Sequence, residues 1–187
     1  MSRKLTTVFA ALVVSVSLAA IAPQAGAATK DQTNAQAVTE QGFKRGKIVD
    51  FASKLPVGSI VVKTKEHALY YILGNGKAVK YKVATAKKGF EWKGSHKVSQ
   101  KVKWPDWSPP AAMLKRRPEL PAYMAGGPEN PLGARAIYLG ASLYRIHGTN
   151  EPSSIGKAAS SGCIRMLNAD VSELYAHVRQ GALVVVV

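Results

Sequence analysis

Cys163 is the single cysteine of this 187-residue chain, and His147 precedes it by sixteen positions. A lone thiol cannot close an intrachain disulfide, and a thiol kept in an oxidising compartment calls for a chemical reason. A thiolate attacks carbonyl carbon, whereas the thiol hardly does. An ordinary cysteine, with a pKa of about 8.5, needs an imidazole, a cation or backbone N–H groups nearby to favour the anion. His147 is of the type that takes the thiol proton and returns it to a leaving amine, the two transfers acyl exchange requires. Gly148 leaves a backbone carbonyl free to hold the other ring nitrogen. Gly162 lets the chain turn tightly and bring N–H groups toward an attacked carbonyl, the raw material of an oxyanion hole. Arg165, two residues past Cys163, falls on the same side of an extended chain, and its planar fork suits a substrate carboxylate. The competing expectation pairs Arg165 with Asp170 or Glu173 at a helix start. Asn150 and Asp170 are candidates for a third member orienting the imidazole, and Asn150 and Ser161 are, with Arg165, candidates for binding substrate. His67, His96 and His177 read as surface or structural residues. One cysteine and scattered histidines offer no converging ligand set, so neither a metal nor a cofactor is expected.

The elements that must position these residues are mostly strands. Ser59–Thr64, Ala68–Leu73 and Lys77–Thr85 are short runs rich in Val, Ile, Tyr and Leu. Gly74-Asn75-Gly76 between the last two predicts a tight hairpin, because Asn-Gly accepts positive φ angles. Ser95–Trp104 gives a further strand, and Ala136–Leu139 with Leu143–His147 makes a pair around Gly140, placing His147 at a strand end. From Pro105 to Gly133 prolines and glycines dominate, with room for one short helix at Pro110–Arg117. This stretch reads either as a lid or substrate wall or as a rigid surface insertion. Asn168–Gln180 predicts a helix with Asn168 as N-cap and a buried stripe of Val171, Leu174, Tyr175 and Val178. Leu183–Val187 predicts a terminal strand buried on both faces. The expected class is therefore mainly β.

Arg3 and Lys4, an apolar run over Leu5–Ile21 and Ala25-Gly26-Ala27 have the three-part form of a cleaved secretory signal. The expected organisation is a signal peptide over residues 1–27, a flexible leader over 28–47 and one folded domain over 48–187. No later segment is long and apolar enough to span a bilayer. The formal net charge is +15, which suits polyanionic surroundings. Export turns that expectation from nucleic acid to an envelope polymer carrying carboxylates or phosphates.

The runs Ile146-His147-Gly148-Thr149-Asn150 and Ser160-Ser161-Gly162-Cys163-Ile164-Arg165-Met166 resemble the active-site signature of L,D-transpeptidases with a YkuD-type catalytic domain. The resemblance extends over about Ser59–Val187 and takes in Trp104-Pro105-Asp106-Trp107 and Asn130-Pro131-Leu132-Gly133. It implies a β-sandwich of mixed strands with a C-terminal helix and a proline-rich insertion. It also implies an exported enzyme of the periplasm or cell envelope acting on peptidoglycan stem peptides. By resemblance, Cys163 attacks the carbonyl of the stem's diamino acid, expels D-alanine and passes the acyl group to an amine. That amine belongs to a second stem, giving a 3→3 crosslink, or in some members to an envelope protein. By the same resemblance a carbapenem would leave an acyl adduct on the cysteine. Many members carry histidine where this chain has Ser161, so any substrate contact at that position differs here. Two other readings remain: an L,D-carboxypeptidase or endopeptidase that uses the same residues with water as acceptor, and a non-catalytic module that binds the wall through its basic surface, with Cys163 a relic.

Overall fold

A computed structural model describes residues 42–187. The expected signal peptide and most of the expected leader lie outside the described residues. Eleven strands, two α-helices and two short 3₁₀ helices make up the described elements. The first half of the sheet comprises β1 (Lys47–Asp50), β2 (Ile60–Lys63), β3 (Ala68–Gly74) and β4 (Lys77–Lys82). The long β6 (Gly94–Lys103) leads into β7 (Arg135–Leu139) and β8 (Arg145–His147), with β10 (Ile164–Arg165) beyond. The last strand, β11 (Leu183–Val186), returns to the first half, giving the order β1-β4-β3-β2-β11-β6-β7-β8-β10. Most neighbours are antiparallel, but β2 with β11 and β8 with β10 run parallel.

β6 belongs to both halves. Its start pairs with β11 and its end with β7, and the register shifts between Val98 and Gln100. A bulge of this kind bends a strand and re-aims the residues beyond it, so the two halves can face one another. One core fills the space between them: Val62, Leu69 and Tyr81 from the first half meet Ile137, Leu139 and Ile146 from the second. Helix α2 (Asn168–His177) packs on β7 and β8 and adds Val171 and Leu174, with Val178 just beyond it, to the same core. The mixed-strand sandwich is the fold. A smaller apolar cluster, with Tyr70 and Ile72 at its centre, covers the outer face of β3 under Phe51 and Leu55.

The hairpin stands where Asn-Gly predicts it, with Asn75 at φ 46° and Gly76 at φ 71°. Other boundaries differ for physical reasons. The expected strand to Thr85 stops at Lys82, and Thr85–Ala86 forms a separate β5 that pairs in parallel with β9 (Ala158–Ser160). The short helix α1 spans Ala111–Arg116, and α2 ends three residues early, Val178 being extended. Asn168 does not cap its helix; Leu167 occupies that position, and the Asn168 side chain works elsewhere. In β11 only Val184 and Val186 are fully buried, so the strand is not buried evenly on both faces.

The leader was expected to run to residue 47, yet its end is packed. Phe43 is buried against Tyr71 and His177. The Glu173 carboxylate accepts the backbone N–H groups of Lys44, Arg45 and Gly46 and the Tyr81 hydroxyl, at 2.6 to 3.1 Å. Burial pushes the Glu173 pKa up, but these donors outweigh it and hold it below the usual carboxylate value. A lowered carboxylate pKa stabilises the fold above the unfolded value and loses that effect as pH falls through the folded one. Glu173→Ala is expected to cost roughly 2–4 kcal/mol, leaving four donors without their acceptor. Urea denaturation at pH 7 measures this, and an unchanged midpoint would remove the clasp from the stability account.

Candidate active site

The site is built on the parallel pairing of β8 and β10. Ile164 faces Ile146 and Arg165 faces His147 across the ladder. Side chains alternate along a strand. Ile146 and Ile164 are buried in the core, so Arg145, His147, Cys163 and Arg165 project to the opposite side. There they line a single cleft of about 610 Å³. Cys163 precedes the first ladder pair, level with Arg145.

His147 is 4 % exposed, and its Nδ1 lies 2.7 Å from the carbonyl oxygen of Gly148. A carbonyl only accepts, so Nδ1 carries the proton and Nε2 is left as the basic nitrogen. Burial first, then the nearby Arg165 and Arg145 charges, lower the His147 pKa to about 3, although its contacts to Gly148 and Leu132 oppose the shift. The imidazole is neutral at physiological pH. Burial also raises the Cys163 pKa, while the guanidinium and backbone N–H of Arg145 and the charge of Arg165 pull it down. Desolvation outweighs the cations, so the protonated thiol is favoured at rest. The resting pair is a thiol and a neutral ring.

Arg145 had no part in the sequence reading, since arginine in a strand resembles any solvated charge. Its guanidinium lies over the Tyr138 ring, 5.0 Å from the centroid. Nη1 donates to the Leu143 carbonyl, the same oxygen that lies 3.8 Å from the Cys163 sulfur. Among the described residues its buried Nε has no hydrogen-bond partner. Only the strand register reveals it: two residues before His147, and level with Cys163.

Gly162 has φ +113°, and a Cβ there would sit 2.7 Å from the Tyr144 ring. Its carbonyl accepts from the Trp92 indole at 2.7 Å, and Trp92 stacks on Tyr144 with centroids 4.2 Å apart. Its N–H donates to Ser160 Oγ at 3.2 Å. Gly162 therefore orients the loop, and its N–H is already engaged instead of being free to form an oxyanion hole. Gly162→Ala combines a strained φ with a steric clash and is expected to cost about 2–4 kcal/mol and most activity. Thermal unfolding with a thiol-alkylation rate measures both; normal values in both would show that the loop relaxes freely.

Arg165 pairs with neither Asp170 nor Glu173. Its Nη1 is 2.8 Å from Glu151 across the cleft mouth, while Asp170 binds Arg45. Asp170 is thus no third member of the site. Asn150 lines the cleft but donates to the Glu129 carbonyl at 2.8 Å, so it braces the insertion. Gly148 itself supplies the orienting oxygen. Ser161 lines the cleft beside Cys163. Asn168 is a residue the sequence reading misplaced: its Oδ1 accepts from Ala134 and Thr149, and its Nδ2 donates to the Thr149 carbonyl. It ties α2 to the loop after His147, and the Cα of Gly148 lies too close to Asn168 Oδ1 for any side chain. The proline-rich stretch forms the far wall of the cleft with Trp107, Met113, Leu120 and Met124. Asn130, fully buried, pins that wall by donating to the carbonyls of Pro105, Met124 and Ala125. Among the described residues, no three His, Cys, Asp or Glu side chains gather to hold a metal ion.

A thiol and a tautomer-fixed imidazole line one walled cleft together with two guanidiniums, residue types suited to cysteine acyl transfer. The L,D-transpeptidase catalytic domain family matches residues 58–186, and this chain belongs to that family. An Escherichia coli protein described as "Probable L,D-transpeptidase ErfK/SrfK" is 36% identical over 137 residues, covering 68% of this chain and 43% of the relative. The chain thus spans less than half the length of that relative. An Enterococcus faecium L,D-transpeptidase structure superposes with a TM-score of 0.56 at 15% identity, covering 84% of this chain and 82% of that one. A Brucella melitensis structure is 40% identical with a TM-score of 0.52, covering 74% of this chain and 91% of its own. That protein is described as a "Probable carnitine operon oxidoreductase caia".

Proposed function

We propose that this protein is an exported L,D-transpeptidase that acts on peptidoglycan stem peptides in the cell envelope. The observation that carries the reading is the pair in the cleft: the Cys163 thiol, and His147 with its Nδ1 proton committed to Gly148. His147 Nε2 takes the Sγ proton as sulfur bonds to the carbonyl carbon of the stem's diamino acid. The C–N bond to D-alanine then breaks, the nitrogen leaving with the proton from His147. An incoming amine attacks the thioester and gives a proton to Nε2. The C–S bond breaks, and sulfur recovers its proton.

Arg145 stabilises the negative sulfur during attack, and Arg165, once released from Glu151, meets a substrate carboxylate. The apolar wall of Met113, Leu120, Met124 and Leu132 disfavours water in the cleft, which supports an amine acceptor over hydrolysis. The acceptor is a second stem or an envelope protein. Incubation with purified muropeptides and mass spectrometry of the products tests the reading. Loss of D-alanine with gain of a joined stem is expected; an intact donor after prolonged incubation would sink it.

Arg145→Met keeps the bulk of the stem and removes the charge. It is expected to push the pH midpoint of Cys163 alkylation upward by about one unit, since one unit equals about 1.4 kcal/mol of lost charge stabilisation. An unmoved midpoint would leave Arg145 as packing for Tyr138 alone.

A further inference from the structure

Past Ser161 the cleft continues into a smaller recess of about 290 Å³, walled by Lys87, Arg116, Arg117 and Arg165 with Met113. No acidic side chain lines it. Arg117 and Arg165 are answered by Glu119 and Glu151. Lys87 and Arg116 are not: among the described residues, neither has a carboxylate within ion-pair distance. Both lie instead over one ring, that of Phe90, at 5.3 and 4.9 Å from its centroid.

An aromatic face attracts a cation but does not neutralise it. Two cations sharing one ring lie within about one Debye length at physiological salt, roughly 8–10 Å, and repel each other. The two come from separate parts of the chain. The backbone N–H of Lys87 donates to the Ser160 carbonyl, three residues before the nucleophile, and Arg116 ends helix α1 of the insertion. The fold thus assembles uncompensated positive charge in a concavity that opens onto Cys163. An anion seated in the recess that Lys87 and Arg116 both line relieves their repulsion.

We infer that this recess holds the carboxylate of the acyl acceptor, an amino acid or peptide that also carries the attacking amine. The inference rests on the transferase reading above. The recess shares Arg116, Arg117, Ser161 and Arg165 with the reactive cleft, so its occupant lies within reach of the thioester. That continuity serves a ligand with an amine to transfer. An amine-free phosphate polymer has nothing to react. On transfer the acceptor nitrogen bonds to the acyl carbon, the C–S bond breaks, and the amine proton passes through His147 Nε2 to sulfur.

The test is an amide NMR titration of the Cys163→Ser protein, which cannot turn over, with two probes. One is a stem tetrapeptide with free carboxylates, the other its fully amidated counterpart. The acid form is expected to shift Lys87, Phe90 and Arg116 and to bind there at least tenfold more tightly than the amide. Replacing Lys87→Gln and Arg116→Gln together is expected to erase that difference. Equal affinities for the two probes, or undisturbed signals at those three residues, would overturn the inference. So would tighter binding of an amine-free polyphosphate, which would make the recess a polymer site. Carbapenem adduct formation on the wild-type protein is scored separately: its absence counts against the transferase reading, whereas the titration alone decides the recess.

Discussion

Cys163→Ser is expected to abolish D-alanine release and carbapenem adduct formation while the protein stays folded. Sulfur differs from oxygen here in two ways. The hydroxyl is far less acidic than the thiol, and the neutral His147, with a pKa near 3, is too weak a base to activate it at rest. Burial that already raises the thiol pKa penalises an alkoxide more. The loss should therefore reach at least about three orders of magnitude, the scale seen when a nucleophile is removed from a coupled pair. Cys163 is only half-buried, and the change removes little packing. Intact-protein mass spectrometry after carbapenem exposure reads the adduct, and circular dichroism reads the fold. A serine variant that turned over within tenfold of wild type would end the nucleophile assignment.

His147→Ala is expected to lower the acylation rate by about 10²–10⁴-fold, the range for loss of a positioned general base. A second consequence concerns stability. The folded His147 pKa is about 3, against about 6.5 in an unfolded chain. The unfolded state therefore binds a proton that the folded state refuses. Stability falls as pH drops from about 6.5 towards 3, by up to several kcal/mol, and is flat above that window. His147→Gln cannot titrate and should lose less stability between pH 7 and pH 4 than the wild type. Glu173 also weakens the fold as pH falls, but it is present in both proteins and cancels in the comparison. Parallel slopes in urea denaturation at the two pH values would mean that His147 ionises freely.

Local signals made much of this molecule legible. Asn75-Gly76 announces its hairpin through backbone sterics, and Val171 and Leu174 announce a helix face through their spacing. The His147 and Cys163 segments carry their chemistry in residue type alone. The features that stayed hidden depend on pairing between distant segments. β10 is two residues long and exists because Ile164 and Arg165 lie against β8 and because Arg165 also bridges to Ala84. β5 and β9 are equally dependent on each other. Arg145 became visible only through that register, and Glu151 as the partner of Arg165 only through the loop that brings it across the mouth. The segment before Ile48 read as polar and aperiodic because its anchors, Glu173 and Tyr71, lie far along the chain.

The buried amide of Asn130 gathers three carbonyls from the two ends of the insertion and accepts the Leu132 N–H in return. The stretch from Pro105 to Leu132 therefore closes on itself like a clasped bracelet, and it meets the site through Leu132 at His147 and Glu129 at Asn150. Chemistry and selectivity are thereby housed in separable modules. Grafting a different insertion between β6 and β7 that keeps the Leu132 contact to His147 should reshape the far wall of the cleft while leaving the thiol and imidazole where they stand.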